Sequence, residues 1–368
     1  MNNPVKIVFG DGSVNHLNDE MSPELKRILL VTGTHVQKSG LLERLKSILV
    51  GREITIHCGV AAEPPLPEVD SIIAAGRRAD SQAVIAVGGG SVIDAAKAAA
   101  ALIPTSGKLQ EYFDGERVIS GKGLFFVALP TTAGTGAELT PNAVLTDPAT
   151  EIKKSLRHQT MFPNVAIIDP ELLSSCSAVL AANSGLDALT QAIESYISLN
   201  ANATTREQAA QAILLLYRNL PVFCADRQNV AARTAMAEGS MRAALSFSAA
   251  GLGAVHGLGH PLGSLLQVPH GLCCAILLPH VLRWNQPISE KYFAELANLC
   301  ALDNGADGFI VAIETLCRSL DIPPNFSSFG LGTKHFGFIL ENCRSNSMKS
   351  NPRPMSDDDV VAMLQELI

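Results

Sequence analysis

The stretch AVIAVGGGSVIDAAK, residues 83–97, decides the fold class of this chain. Residues 83–87 are a short apolar run typical of a buried strand, and residues 92–102 form an Ala-rich segment with helical spacing. Glycines at 88–90 join the two. Parallel strands need a crossover, usually a helix, so a buried strand that runs through glycines into a helix predicts a parallel α/β sheet.

The same alternation surrounds this stretch. Residues 27–32, 53–58, 124–129 and 165–168 are predicted strands, residues 40–49 and 68–78 are predicted helices, and residues 142–146 begin a predicted hairpin. We therefore predict an α/β domain with a mostly parallel sheet over residues 1–180.

The pattern changes near residues 175–185, where strand-like runs end. Long Ala- and Leu-rich helical segments follow, and the composition shift predicts an all-α C-terminal domain over residues 181–368. Its predicted helices are residues 188–197, 205–217, 231–247, 251–266, 272–282, 289–300 and 307–320.

Composition excludes several classes of partner. The 368 residues are 47% hydrophobic and carry a formal net charge of −7 without a basic block, so we expect neither a nucleic-acid nor a membrane partner. The eight cysteines are scattered and form no CxxC pair, which favours free thiols in a reducing cytoplasm. The first residues resemble no signal peptide, and the apolar runs are too short to span a bilayer.

Two loops at predicted strand ends carry polar chemistry. GGGS, residues 88–91, precedes a helix, so its backbone N–H groups suit a phosphate. Asp94 is expected in the first turn of that helix, where a carboxylate is favourable. PTTAGTGAE, residues 130–138, adds the hydroxyls of Thr131, Thr132 and Thr135. Each loop alone could be a simple turn, but together they favour a nucleotide site at the carboxyl ends of the strands.

Lys153 lies on the returning arm of the predicted hairpin. It could reach this nucleotide site, or it could be an ordinary solvated lysine.

The second half is organised around GLGAVHGLGHPLGSLLQVPHG, residues 251–271. His256 and His260 are one helical turn apart on one face, and His270 follows a predicted helix break after Pro269. Buried histidines can simply bond one another, but three at this spacing among apolar residues favour a metal site.

Asp187 and Gln191 have the same four-residue spacing in GLDALTQAIE, residues 185–194. An acid inside an apolar helix is costly unless it is paired or binds a metal, so Asp187 is a candidate ligand beside the imidazoles. It could instead cap a helix that starts after Gly185. Glu194 is expected on another face of the helix.

The motifs GGGSVIDAAKA, PTTAGTGAE, GLDALTQAIESYIS, GLGAVHGLGHPLG with PHG, and NPRPMSDDD together resemble the iron-containing (group III) alcohol dehydrogenases. The resemblance runs in register from about residue 5 to the C-terminus. It implies a nucleotide-binding α/β domain, a helical domain and a cleft between them, which is the dehydroquinate synthase-like architecture. It also implies nicotinamide-dependent interconversion of an alcohol and an aldehyde or ketone, and a homo-oligomer, most simply a dimer.

Carried over by position, the resemblance assigns the pyrophosphate to Gly89, Gly90, Ser91 and Asp94. It places Thr131, Thr132 and Thr135 at the phosphates and the nicotinamide side, and Lys153 at the ribose.

The family holds its metal with one Asp and three His, of which Asp187, His256 and His270 match three. His260 matches a non-ligand histidine near the nicotinamide, which makes it the candidate for catalytic proton transfer. The fourth ligand position is occupied by Gln191, which can coordinate only through its neutral amide oxygen. Gln191 could still be a ligand, a water could replace it, or the enzyme could work without metal. We favour a divalent metal, Fe or Zn, that is weakly retained.

A second departure concerns the coenzyme. Members that prefer NAD tend to carry an Asp at the end of the first domain strand, where this chain has Gly33. Without that carboxylate a 2′-phosphate is not repelled, and Thr34, His35 and Lys38 are near in sequence. We therefore expect NAD or NADP, with NADP accepted.

The predicted function is thus NAD(P)-dependent oxidation of a small-molecule alcohol, or the reverse reduction, by metal-assisted hydride transfer. The alternatives are a metal-independent carbonyl reductase like the maleylacetate reductases, a dehydroquinate synthase-like lyase, and a non-catalytic binding protein.

Overall fold

The computed structural model describes residues 4–150 and 152–368. The chain divides into two compact units, the first ending at Cys176 and the second comprising Ser177–Ile368. Each unit is described by itself. Residues 1–3, part of the segment expected not to be a signal peptide, lie outside the described residues.

The first unit is built on a six-stranded parallel sheet in the order β1-β8-β5-β4-β2-β3. Its strands are β1 Lys6–Phe9, β2 Arg27–Thr32, β3 Glu53–Cys58, β4 Ala83–Gly88, β5 Phe125–Pro130 and β8 Val165–Ile168, and the antiparallel hairpin consists of β6 Asn142–Asp147 and β7 Ile152–Arg157. Its helices are α1 Thr34–Lys38, α2 Leu41–Ile48, α3 Leu66–Arg78, α4 Gly90–Leu102 and α5 Leu109–Asp114.

Burial explains why the central strands are continuous apolar runs. All six residues of β4 are buried, because helices cover both faces of the sheet. Alternate residues feed two separate cores: Val84 and Ala86 pack in one, and Ala83, Ile85 and Val87 pack in the other.

The strand order reverses between β2 and β4. The chain moves outward from β2 to β3, then returns to β4 on the other side of β2 and continues to β5. Ligands of open α/β sheets bind at such a reversal, outside the carboxyl ends of the strands. This edge carries Gly33 after β2, the glycines after β4 and the Thr-rich loop after β5.

The second unit is helical. Its helices are α6 Ala178–Ile197, α7 Ala203–Ala225, α8 Val230–Ala250, α9 Ala254–Leu266, α10 His270–Cys300, α11 Gly305–Ser319, α12 Phe336–Asn342, α13 Asn346–Ser350 and α14 Asp357–Glu366. The central helix is α6, whose residues from Gly185 to Ile197 are all buried and which packs against α7, α8 and α10.

Several predicted boundaries in this unit are wrong. Helix α7, predicted over residues 205–217, runs from Ala203 to Ala225. The predicted helices over residues 272–282 and 289–300 are one helix, α10, because Pro279 and Pro287 lie inside it and do not end it. Buried side chains along α10, such as Val281 and Asn285, hold it in place by packing that local helix propensity does not describe. Helix α6 begins at Ala178 instead of residue 188.

No single helix among the described residues is long and apolar enough to cross a membrane, although α10 and α11 pass that test together as a pair bent by 65°. The predicted fold class, an α/β part with a parallel sheet followed by an all-α part, is confirmed.

Candidate active-site elements

The glycine-rich and Thr-rich loops of the first unit lie against each other. A Cβ added to Gly90 would be 2.6 Å from Thr135 Oγ1, and one added to Gly89 would be 3.5 Å from Thr132 Oγ1. Glycine at 90 therefore lets the hydroxyl of Thr135 approach the start of α4. No side chain caps that helix end at Gly89, so the two loops form a small cradle of backbone N–H groups and hydroxyls that fits a phosphate.

Asp94 was predicted in the first turn of α4, and this is wrong. The helix begins at Gly90, two residues earlier than predicted, so Asp94 lies beyond the first turn. Its carboxylate has partners of its own: it accepts a hydrogen bond from Val144 N (3.0 Å) and lies 3.4 Å from Lys97 Nζ. Asp94 thus joins α4 to the β6–β7 hairpin, and its contact with pyrophosphate stays a prediction.

Lys97 was not identified from the sequence, yet it is fully buried. Its Nζ donates to Ala137 O (2.7 Å) and Asn142 O (2.6 Å). The Lys97 side chain therefore links α4 to the Thr-rich loop and to the hairpin. Burial lowers the pKa of Lys97. The sequence did contain a signal for a buried Lys97, because it is a charged residue three positions after Asp94 in an otherwise Ala-rich helix.

Lys153 is not the solvated lysine of the alternative interpretation. Its side chain is only 10% exposed, and Nζ lies 2.5 Å from Glu63 Oε1. The loop that contains Glu63 also reaches the glycine-rich turn, because Glu63 N donates to Ser91 Oγ at 3.1 Å. Lys153 and Ser91 are therefore connected through one loop at the carboxyl edge of the sheet.

In the second unit, the starts of α9 and α10 approach the buried helix α6 closely. A Cβ on Gly271 would lie 2.5 Å from Asn183 O, and one on Gly253 would lie 2.8 Å from Glu194 Oε1. Glycine at these positions permits the approach that brings His256 and His270 to Asp187.

The resulting cluster contains four side chains that could bind a metal, namely Asp187, His256, His270 and Cys274. One ligand atom from each lies within 4.8 Å of all the others. Asp187 Oδ1 is 3.3 Å from His256 Nε2 and 3.9 Å from His270 Nε2. The structure thus brings together three of the four predicted metal ligands.

The fourth predicted ligand, Gln191, is buried one turn after Asp187 on α6. Its Oε1 has no hydrogen-bond partner among the described residues, and neither does Asp187 Oδ1 or His256 Nε2. Because Asp187 lies in the middle of α6, the alternative of a helix-capping acid is wrong.

Glu194 was expected on another face of α6, and this is wrong. Asp187 and Glu194 are two helical turns apart, so they share a face. Glu194 Oε2 lies 2.6 Å from His256 Nδ1, and Oε1 accepts from Val255 N at 2.7 Å. With Nδ1 donating to Glu194, Nε2 is the His256 atom that faces Asp187 and that could bind a cation.

Three buried atoms at this cluster have no hydrogen-bond donor within the described part of the chain, namely Asp187 Oδ1, Gln191 Oε1 and His256 Nε2. Such a group of atoms would stabilise a positive charge. Burial lowers the pKa of His256, but Cys274, Glu194 and Asp187 outweigh burial and raise that pKa well above its usual value. The donor set of carboxylate, imidazole and thiol fits a divalent transition metal.

His260 lies at the side of this cluster. Its ring stacks on that of His270, with centroids 5.0 Å apart and planes 15° apart, and its centroid is 6.4 Å from that of His256. It is partly exposed, whereas His256 is buried. It is not among the four grouped residues.

Comparisons with known proteins agree with the fold and these motifs. The model of the iron-containing alcohol dehydrogenases matches residues 4–170, and that of the family's C-terminal domain matches residues 181–368. The 1,3-propanediol dehydrogenase of Klebsiella pneumoniae is 35% identical over 353 residues, covering 93% of this chain and 91% of that protein. The NAD-dependent methanol dehydrogenase of Bacillus methanolicus is 30% identical, covering 99% of this chain and 98% of that protein.

Solved structures extend the likeness to three dimensions. A 1,3-propanediol oxidoreductase superposes with a TM-score of 0.93 at 33% identity, covering 99% of this chain and 98% of that one. A sulfoacetaldehyde reductase from Bifidobacterium kashiwanohense, solved in complex with NAD⁺, gives a TM-score of 0.93 at 30% identity, covering 99% of this chain and 97% of that one.

The parallel sheet with its glycine-rich loop at the strand reversal, the helical unit with its Asp–His–Cys cluster and these relatives together define a nicotinamide-dependent oxidoreductase of the alcohol dehydrogenase class. The chain belongs to the iron-containing alcohol dehydrogenase family. The predicted family and enzyme class are confirmed, and the relatives do not favour the lyase or the metal-independent reductase.

Proposed function

We propose that this enzyme interconverts a small alcohol and its aldehyde or ketone, with a divalent metal held by Asp187, Gln191, His256 and His270. The observation that carries the proposal is the group of three buried acceptor atoms without donors, Asp187 Oδ1, Gln191 Oε1 and His256 Nε2. Bound there, a divalent cation would polarise the substrate oxygen as a Lewis acid, and a bound nicotinamide would supply or accept the hydride.

The chain's own residues hold protons and position the reactants. Glu194 keeps the His256 proton on Nδ1, which leaves Nε2 free to bind the cation. His260, stacked on His270 and partly exposed, carries the hydroxyl proton of the alcohol toward solvent. On the sheet unit, Gly89, Gly90, Ser91 and the three threonines receive the coenzyme phosphates. Lys153 is assigned to the ribose; its support is the link through the Glu63 loop to Ser91.

The test measures bound metal and turnover in parallel. A panel of small alcohols and carbonyls, run with both coenzymes and with added Fe²⁺, Zn²⁺ or Mn²⁺, should identify a cation that activates the enzyme. His256→Ala and His270→Ala should lose metal and activity together, while His260→Ala should keep the metal and lose rate. Full activity of metal-free His256→Ala would contradict the metal-assisted mechanism.

The coenzyme choice follows from the end of β2. Gly33 places no carboxylate there, and Thr34, His35 and Lys38 on α1 are all exposed. We expect NADPH to be accepted at a rate comparable to NADH, because nothing at residue 33 repels a 2′-phosphate and Lys38 attracts one. Measuring kcat/KM with each coenzyme checks this, and a strong preference for NADH would contradict it. Lys38→Glu should shift the ratio toward NADH.

The predicted homodimer remains a prediction. Light scattering of the purified protein decides between one and two chains.

A further inference from the structure

We propose that Cys274 is a direct ligand of the divalent cation, together with Asp187, His256 and His270, and that its thiolate makes the centre prefer zinc to ferrous iron. This inference rests on the proposed function, because it concerns the same cation. The added ligand is Cys274, which lies outside the histidine motif and is not at the fourth ligand position, where the chain has Gln191.

The position of Cys274 is set by α10. It lies one helical turn after His270, so both side chains leave the same face of the helix. Cys274 Sγ is 3.6 Å from His270 Nε2. The residue is fully buried and grouped with Asp187, His256 and His270, with all four ligand atoms within 4.8 Å of one another.

These separations suit a cation held by four protein ligands, to which the substrate oxygen would add as a fifth. With zinc bonds of about 2.0–2.1 Å to nitrogen or oxygen and about 2.3 Å to sulfur, neighbouring ligand atoms on a tetrahedron lie roughly 3.3–3.6 Å apart. The observed separations are 3.3 Å for Asp187 Oδ1 and His256 Nε2, and 3.6 Å for Cys274 Sγ and His270 Nε2. The pair Asp187 Oδ1 and His270 Nε2, at 3.9 Å, needs only a small movement.

Charge points the same way. Among the predicted ligands, only Asp187 is an anion, since His256 and His270 bind as neutral imidazoles and Gln191 through a neutral oxygen. Asp187 neutralises only half of the charge of a divalent cation within the ligand set, and the other nearby carboxylate, Glu194, contacts His256 and is not a predicted ligand. The Cys274 thiolate supplies the second negative charge.

Burial raises the pKa of Cys274 to about 11, and a coordinated metal deprotonates such a thiol outright. Formation of the metal–sulfur bond therefore releases the thiol proton to solvent. Thiolate is a soft ligand that favours zinc over the harder divalent metals. A centre that contains the Cys274 thiolate is therefore expected to prefer zinc.

The test uses the full-length enzyme reconstituted with Co²⁺ as a coloured substitute for zinc. A bound thiolate gives a sulfur-to-cobalt charge-transfer band in the near ultraviolet, and Cys274→Ser should abolish that band. Zinc affinity, measured by chelator competition, should fall on the order of 100-fold in Cys274→Ser, with a much smaller loss for Mn²⁺. The matched control is Cys273→Ser, because Cys273 is the adjacent buried thiol but lies outside the four-residue group.

Zinc-edge X-ray absorption of the wild-type enzyme gives an answer that needs no variant. One sulfur at about 2.3 Å supports the proposal, and a shell of nitrogen and oxygen alone overturns it. Loss of the cobalt band in Cys273→Ser but not in Cys274→Ser would also overturn it. If the active enzyme binds metal without a sulfur ligand, the proposed ligand role of Cys274 is wrong and the proposed function stands. If the active enzyme binds no metal, both proposals are wrong.

Discussion

Glu194 shows how one residue sets the chemistry of its neighbour. Its two carboxylate oxygens contact His256 Nδ1 and Val255 N, so it fixes both the proton of His256 and the start of α9. The side chains of Glu194 and His256 are each 3% exposed, so water does not replace this contact. A carboxylate behind a metal-binding histidine orients the ring and strengthens the ligand.

We expect Glu194→Gln to weaken zinc binding by about 10–100-fold, because the amide is neutral and a weaker acceptor than the carboxylate. The dissociation constant from chelator competition is the measurement. The control is Glu295→Gln, which alters a glutamate that hydrogen-bonds Tyr196 Oη in the same unit and is not part of the cluster. Equal metal affinity in wild type and Glu194→Gln would show that the contact is only structural.

Glu138 is a buried acid in the sheet unit, only 4% exposed, at the end of the Thr-rich loop. Burial raises the pKa of Glu138 to about 7, despite the nearby ammonium of Lys97. The folded state therefore binds this proton more tightly than the unfolded state. The stability from neutral Glu138 is complete below about pH 4.5 and is lost as the pH rises through about 7.

Glu138→Gln should remove that loss. The melting temperature of the variant relative to wild type should rise steadily between pH 5 and pH 8, with a free-energy difference on the order of 3 kcal/mol at the upper end. Glu116→Gln, at an exposed position of the same unit, should show no such trend. A difference that is constant across this pH range would contradict the assignment.

At the scale of elements, the metal cluster depends on how closely α10 approaches α6. Gly271 lies against the backbone of α6, where an added Cβ would be 2.5 Å from Asn183 O. Backbone cannot move aside as a flexible side chain can, so a methyl group here must push the start of α10 away. His270 would move with it.

We expect Gly271→Ala to destabilise the enzyme by about 1–3 kcal/mol and to weaken metal binding. The control is Gly337→Ala in α12, where an added Cβ meets nothing within 4 Å. That change should be neutral or mildly stabilising, because alanine has the higher helix propensity. Thermal melting and zinc titration report the two effects, and metal affinity unchanged in Gly271→Ala would contradict the role given to this contact.

At the scale of the whole molecule, the two candidate sites lie in different units. The phosphate cradle lies in the unit that ends at Cys176, and the cation cluster lies in Ser177–Ile368. A ligand that binds only the folded state stabilises the unit that holds it, by about 2.7 kcal/mol at a hundredfold excess over its dissociation constant.

Zinc should therefore slow amide hydrogen exchange in α6, α9 and α10, and coenzyme should slow it in the first turns of α4 and in residues 130–136. Exchange measured by mass spectrometry on the intact enzyme, with each ligand added separately, separates the two effects. Zinc protection confined to the first unit would contradict the placement of the cation site.

Local pattern predicted much of this protein. The strands β2, β3 and β8 were predicted with their observed bounds. β2 and β8 are apolar runs of the kind that strands buried on both faces show. The histidine spacing in α9 and the Asp187–Gln191 spacing in α6 were equally local, since both depend only on the helical repeat. Boundaries were less accessible: the helices predicted over residues 272–282 and 289–300 are one helix, which tertiary packing holds together across the predicted gap.

By itself, the sequence determined the fold class, the family motifs and the candidate ligands Asp187, His256 and His270. Only the tertiary structure decided that Glu194 holds His256, that Cys274 joins the cluster, and that Lys97 ties α4 to two loops. The reason is physical. Helical periodicity fixes which residues share a face, but the partner of that face depends on how separate helices pack, and here close approaches at Gly253 and Gly271 set that packing.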